Sequence, residues 1–141
     1  MDAQPVQCLM IHGSIVLLFG LLSGIPFWVA IIRNKGDGTI RAWRVAHGTL
    51  IACGLIMLVV GLIDPYLALC AGLHTLLVWA FIVSGYGFVF ALVVGAGTGR
   101  RALTPRPPGI NTLLFLGHMI GAVGAVFGMC IVLFGLLRRA V

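Results

Sequence analysis

Charged side chains are scarce in this sequence of 141 residues, since nine are basic and only three are acidic. A soluble domain usually carries about a quarter charged residues, so a chain with 9% of them cannot cover a water-soluble globule of this size. Disorder is excluded by the same figures, because a disordered chain is rich in charge and poor in apolar residues. A nucleic-acid module is also excluded, because the basic residues lie between apolar runs.

Cysteine motifs are absent as well. Cys8, Cys53, Cys70 and Cys130 lie inside or beside apolar runs and form no CxxC or CxxCH pair. Their spacing gives no zinc-type ligand set, and the apolar composition of the chain excludes a secreted disulfide scaffold. Free cysteine in such surroundings behaves as a small apolar residue.

Long apolar runs are what the sequence has in abundance, with 61% of its residues apolar. A membrane-spanning helix needs about 20 such residues, and the chain has room for four. We therefore predict an all-α fold, an integral membrane four-helix bundle that forms a single domain over residues 1–141. Asp64-Pro65 is a strong breaker, so the second and third helices should form an antiparallel hairpin. The predicted spans are residues 8–32, 45–63, 67–94 and 110–137.

The basic residues predict the orientation of the bundle. Four spans place the loops 33–44 and 95–109 on one side, and both termini with the Asp64-Pro65 turn on the other. The positive-inside rule then predicts cytoplasmic loops and external termini, in a bacterial-type inner (plasma) membrane. Seven basic residues lie in the two loops, against Arg138 and Arg139 on the opposite side; the seven are Arg33, Lys35, Arg41, Arg44, Arg100, Arg101 and Arg106.

Each predicted span contains one histidine, and the four are His12, His47, His74 and His118. An ionisable residue inside a membrane is a functional-site hypothesis by default, although a single one can simply bridge two helices. By position, His12 and His74 form an outer pair, whereas His47, in the first turn of its span, and His118 form an inner pair. No carboxylate lies within any span, which disfavours zinc and di-iron sites. Imidazole in apolar, glycine-rich surroundings suits the iron of a non-covalent, b-type haem.

Glycine is unusually frequent, at 20 residues. Gly117, Gly121, Gly124 and Gly128 form one helical stripe in the fourth span, and Gly20 and Gly24 form another small-residue pair. Such stripes let helix backbones approach closely in lipid. They also have a second interpretation, since some of these glycines could clear room for a flat, bulky cofactor.

The first two spans resemble those of the styrene oxide isomerase family, whose members are small four-helix membrane proteins. The resemblance rests on His12-Gly13 early in the first span and on Trp43, Ala46 and His47 at the entry to the second, with a Gly- and Pro-containing loop, residues 105–109, before the fourth. It implies a trimer that binds ferric haem b near its subunit interfaces, with His47 as the axial ligand of the iron. It also implies a redox-neutral isomerisation of an aryl epoxide to an aldehyde.

Two positions depart from the family pattern. The family has an asparagine six residues after the ligand histidine, where this chain has Cys53. It also has a catalytic tyrosine on the third helix, which aligns with Val89 here. Tyr86 lies about one turn earlier and is the substitute candidate for presenting a phenol to the same cavity. We therefore predict Tyr86 and Cys53 as catalytic candidates beside His47.

Three functions remain open from the sequence. In the first, an epoxide isomerase, ferric haem acts as a Lewis acid on a small hydrophobic epoxide taken from the bilayer. The second is a membrane b-type cytochrome with bis-histidine haems held by His47 with His118 and by His12 with His74, which also makes His118, His12 and His74 secondary ligand candidates. The third is a haem-free structural subunit whose histidines only bridge helices.

Overall fold

Four long helices build the molecule in the computed structural model, which describes residues 4–100, 104–106 and 108–140, residues 4 and 5 by their backbone alone. Each helix is long and apolar enough to cross a membrane. This confirms the predicted all-α bundle and indicates an integral membrane protein. Arg101, one of the seven basic residues assigned to the loops, lies outside the described residues. The elements are α1 (Gln4–Ile32), α2 (Asp37–Ile63), a 3₁₀ turn (Asp64–Tyr66), α3 (Ala71–Thr98) and α4 (Ile110–Ala140).

Three helix starts differ from the starts of the predicted spans, and the first is that of α1, which begins at Gln4 rather than near Cys8. α2 begins at Asp37 rather than near Val45, because nothing after Gly38 interrupts the helix and an acidic residue suits its first turn. His47 therefore lies about 15 Å from the start of α2 rather than in its first turn. α3 begins at Ala71 rather than near Leu67, since Leu67 is extended after the 3₁₀ turn.

The helices pack as two close pairs, α1 with α2 and α3 with α4, whereas α2 and α3 contact each other less despite their short connection. Glycines make the first pair close. A Cβ at Gly54 would lie 2.6 Å from the Leu17 backbone nitrogen, and one at Gly20 would lie 2.7 Å from that of Ile51. The two backbones are thus nearly in contact, as small residues permit in lipid.

The glycine stripe of α4 is occupied by α3. A Cβ at Gly121 would lie 2.8 Å from the Phe88 ring, and one at Gly128 would lie 2.7 Å from the Phe81 ring. Ser84 of α3 also donates a hydrogen bond of 2.6 Å to the Gly121 carbonyl oxygen. The stripe therefore serves helix packing, and these two glycines receive aromatic side chains of the protein rather than a cofactor.

Candidate functional site

His47 lies, half-buried, on the face of α2 that packs against α1. Its Nδ1 donates a hydrogen bond of 2.9 Å to the Gly20 carbonyl oxygen. A carbonyl oxygen only accepts, so Nδ1 carries a proton, and in the neutral form of the ring Nε2 is the nitrogen with the lone pair. Metal-ligating histidines are commonly held in this way, with the second ring nitrogen bonded to a backbone carbonyl. The His47 ring is therefore in the tautomer that coordinates a metal through Nε2.

Residues of α1 also fix the orientation of this ring. A Cβ at Gly24 would lie 3.0 Å from His47 Cε1 and 3.1 Å from its Nδ1, so any larger residue would require the ring to shift by a few tenths of an ångström. The Phe27 ring stacks on His47 with a centroid distance of 6.2 Å and an interplanar angle of 30°. Arg44 in turn places its guanidinium 5.7 Å from the centre of the Phe27 ring. A single oriented imidazole among apolar and glycine residues fits the donor that a b-type haem needs.

Tyr86 contacts His12, not His47. The Tyr86 hydroxyl and His12 Nδ1 share a hydrogen bond of 2.9 Å, and the two rings meet edge to face. Along α1, His12 lies about 12 Å from Gly20, the hydrogen-bond partner of His47. The phenol is thus held at a fixed position, about two helical turns along the bundle from the His47 ring.

Cys53 borders a small cavity of about 30 Å³ between α2, α3 and α4, together with Ser84 and Gly85 of α3. A cavity needs at least about 10–15 Å³ to hold one water molecule, so this one accommodates water but not an aromatic ring. Val89, which aligns with the family tyrosine, packs against the core. The structure thus brings Cys53 beside the α3 segment that precedes Tyr86.

A larger cavity of about 230 Å³ lies between the loop-side ends of α2, α3 and α4, and we call it the basic cavity. Its volume is somewhat below the about 300–1,000 Å³ of sites for drug-sized ligands. Arg41, Ala42 and Val45 are rotated by about 120–160° around α2 from His47, so the cavity and His47 occupy different faces of that helix. Its lining includes Arg41, Ala42, Val45, Leu92, Arg100 and His118.

His74 pairs with Asp64 near the other end of the bundle. His74 Nδ1 donates to Asp64 Oδ1 at 2.9 Å, and Asp64 is only 3% exposed. Asp64 also ends α2 and begins the 3₁₀ turn, and its carbonyl oxygen accepts from Leu67 N. The pair therefore fastens the α2–α3 connection to the first turn of α3, a structural role that accounts for this histidine.

Neither histidine pair of the cytochrome hypothesis comes together in the chain. His12 lies beside Tyr86, and Tyr86 is about 18 Å along α3 from His74. His118 faces the basic cavity, whereas His47 faces α1. In the part of the chain that the structure describes, no three His, Cys, Asp or Glu residues form a metal-binding group. The geometry therefore does not support bis-histidine ligation within one chain.

Several residues of these sites went unnoticed in the sequence. Phe27 and the Gly20 carbonyl contact His47 across two helices, and no spacing along the chain indicates such a contact. In the sequence, Gly24 is notable only as part of a small-residue pair. In the sequence, Arg41 and Arg100 serve only to predict the orientation. One lies near the start of α2 and the other at the end of α3, and these two helix ends meet on the same side of the bundle, a signal that could indicate a shared site.

Comparison with known proteins completes this description. The search of curated proteins found no match, and the search of solved structures found none either. A family model described as styrene oxide isomerase matches residues 6–137, which covers all four helices and the sites described above. The chain therefore belongs to the styrene oxide isomerase family, whose general function is that of an epoxide isomerase.

Proposed function

We propose that this protein converts aryl epoxides such as styrene oxide to aldehydes, with ferric haem b bound through His47. Family membership supports the reaction class. The proposal that His47 binds the haem rests mainly on one observation, the hydrogen bond from His47 Nδ1 to the Gly20 carbonyl oxygen, which leaves Nε2 as the coordinating atom. In the reaction one C–O bond of the epoxide breaks and a hydride moves to the neighbouring carbon, so no oxidant or reductant is consumed.

The residues around His47 would hold the haem and keep water away. When bound, ferric haem supplies a Lewis acid for the epoxide oxygen. Gly24 and Phe27 keep the imidazole ring in place. Apolar side chains exclude water, which would otherwise trap a carbocation as a diol.

We assign Tyr86 the role of orienting the epoxide oxygen through its hydroxyl group, with His12 as its positioning residue. When His12 Nδ1 donates to the Tyr86 oxygen, the phenolic proton is free for the substrate. Cys53 then lies on the α2 side of the substrate site, beside the small cavity that is large enough for one water-sized molecule. The two residues follow the family positions only in part, and the proposal for them rests on their place beside the same segment of α3.

The proposed protein is a homotrimer in a bacterial inner membrane, with cytoplasmic loops and external termini. The charge distribution supports this orientation, because the basic residues concentrate on the loop side. Large apolar side chains on the outside of the bundle, such as Trp28, Leu62 and Val126, suit contact with lipid or with another copy of the chain. The trimer itself rests on the family resemblance.

The test is conversion of styrene oxide to phenylacetaldehyde by the purified ferric protein without added reductant, followed by gas chromatography. Replacement of Tyr86 with phenylalanine is expected to lower kcat by about 10²-fold, the usual order for losing one oriented donor. Tyr66→Phe is the matched control, because Tyr66 is exposed on the 3₁₀ turn. No turnover over a panel of aryl epoxides by haem-loaded protein would contradict the proposed function.

Gly24→Ala is expected to weaken haem binding by about tenfold or more, the usual range for losing the support of a metal ligand. The added methyl group would lie 3.0 Å from His47 Cε1 and push the ring out of its orientation. Haem titration followed by the Soret band measures the effect. Gly48→Ala on α2 is the control, since a methyl group there meets nothing within 4 Å. Equal haem affinities of the two variants would show that the space left by Gly24 does not position His47.

A further inference from the structure

The basic cavity is lined by two arginines, Arg41 and Arg100, that have no acidic partner among the described residues. Arg41 lies in the second turn of α2, and Arg100 follows the left-handed Gly99 that ends α3. Among the described residues the one ion pair joins His74 and Asp64, at the opposite end of the bundle. Within those residues neither guanidinium group meets a carboxylate. Two guanidinium groups at one opening form a site suited to an anion with several oxygen atoms.

Apart from the two arginines and His118, the residues that line the cavity are apolar. Val45 and Leu92 form its walls, and Ala91 and Ala96 keep the α3 side open by their small size. α4 packs mainly on α3 rather than on α2, so close helix packing does not seal the side of the cavity between α2 and α4. A ligand that fits must therefore carry an anionic head at the loop side and an apolar chain directed into the bilayer.

We propose that the basic cavity binds an anionic membrane phospholipid, with its phosphate between Arg41 and Arg100 and the start of an acyl chain against Val45 and Leu92. The volume of about 230 Å³ accommodates a head group and part of a chain, not a whole lipid. The remainder of the lipid would lie in the bilayer, beyond the side of the cavity between α2 and α4. The site is on the opposite face of α2 from His47, so it does not depend on haem binding.

The experiment is native mass spectrometry of the detergent-purified protein, titrated with phosphatidylglycerol or with phosphatidylcholine. We expect one phosphatidylglycerol per chain to bind more tightly than phosphatidylcholine. The double variant Arg41→Gln/Arg100→Gln should lose this preference, with affinity falling about tenfold or more. Arg33→Gln/Arg106→Gln removes the same charge from the loop side outside the cavity and should bind like the wild type.

Two further measurements, on the variant Ala42→Leu and with inorganic phosphate as competitor, complete the test. Ala42→Leu retains both arginines but fills the cavity, and it should also weaken phosphatidylglycerol binding. Excess inorganic phosphate should not displace the lipid, because phosphate lacks the acyl chain. Circular dichroism shows whether each variant is folded. If the double variant is not folded, lipid binding by Ala42→Leu tests the proposal in its place. Equal lipid affinities of the two double variants, equal binding of both lipids, or displacement by phosphate alone would overturn the proposal. So would a loss of haem instead of lipid in Arg41→Gln/Arg100→Gln, which would assign the arginines to haem carboxylates.

Discussion

His47→Ala is expected to yield a protein that lacks the Soret band and has no measurable epoxide isomerase activity. The substitution removes the one imidazole whose second nitrogen is fixed by a backbone carbonyl and whose ring is stacked on Phe27. The neighbouring residues offer no other ligand atom, because Gly20, Gly24 and Phe27 have no coordinating side chain. Absorption spectra of the ferric and dithionite-reduced protein, recorded with haem added during purification, measure the loss.

The controls for His47→Ala are the remaining histidines. His118→Ala should keep the haem spectrum, because His118 faces the basic cavity on the other side of α2. His74→Ala should keep it as well, since His74 bonds to Asp64. External imidazole should restore part of the spectrum to the His47→Ala protein by supplying the missing ligand. Haem loss in His118→Ala as well as in His47→Ala would instead support the bis-histidine cytochrome.

The second large effect is expected from Gly54→Ala, which should destabilise the protein by about 3 kcal/mol, at the upper end of the usual cost of overpacking. The added methyl group would lie 2.6–2.7 Å from the nitrogen, Cα and Cβ atoms of Leu17. Two of these atoms belong to the backbone, so no side-chain rotation relieves the clash and α1 must move away from α2. Unfolding in mixed micelles, followed by circular dichroism, measures the change in free energy.

Gly48→Ala provides the control on the same helix. A Cβ at Gly48 meets nothing within 4 Å, and alanine has a higher helix propensity than glycine by about 1 kcal/mol. This variant should therefore be as stable as the wild type or slightly more stable. If the two alanine variants proved equally stable, the close contact between α1 and α2 would not hold in the membrane-bound protein.

The sequence was sufficient for the fold because the bilayer leaves few alternatives. A lipid-exposed segment must satisfy its own backbone hydrogen bonds, so four apolar runs translate directly into four helices. Helix ends were harder to predict. The bilayer constrains only the apolar stretch, whereas α2 continues toward Asp37 through residues that lie beyond it.

The site was predictable only in part. Resemblance to a family indicated His47, but its hydrogen bond to Gly20 and the space left by Gly24 arise where two helices meet. Histidine depth alone suggested the pair of His12 with His74. The structure instead gives each a different polar partner, Tyr86 and Asp64. Rotation of one helix against another decides such contacts, and a single sequence does not encode that rotation in a readable pattern.

The pairing of α1 with α2 and of α3 with α4 leaves a looser interface between the two pairs. The closest contacts between helix backbones lie inside each pair, so the surfaces between the two pairs are packed less closely than those within them. An apolar substrate dissolved among the acyl chains would reach the interface between the two pairs directly from the bilayer, without crossing water. Traffic of such molecules would then depend on the lateral pressure of the surrounding membrane as much as on the chemistry inside.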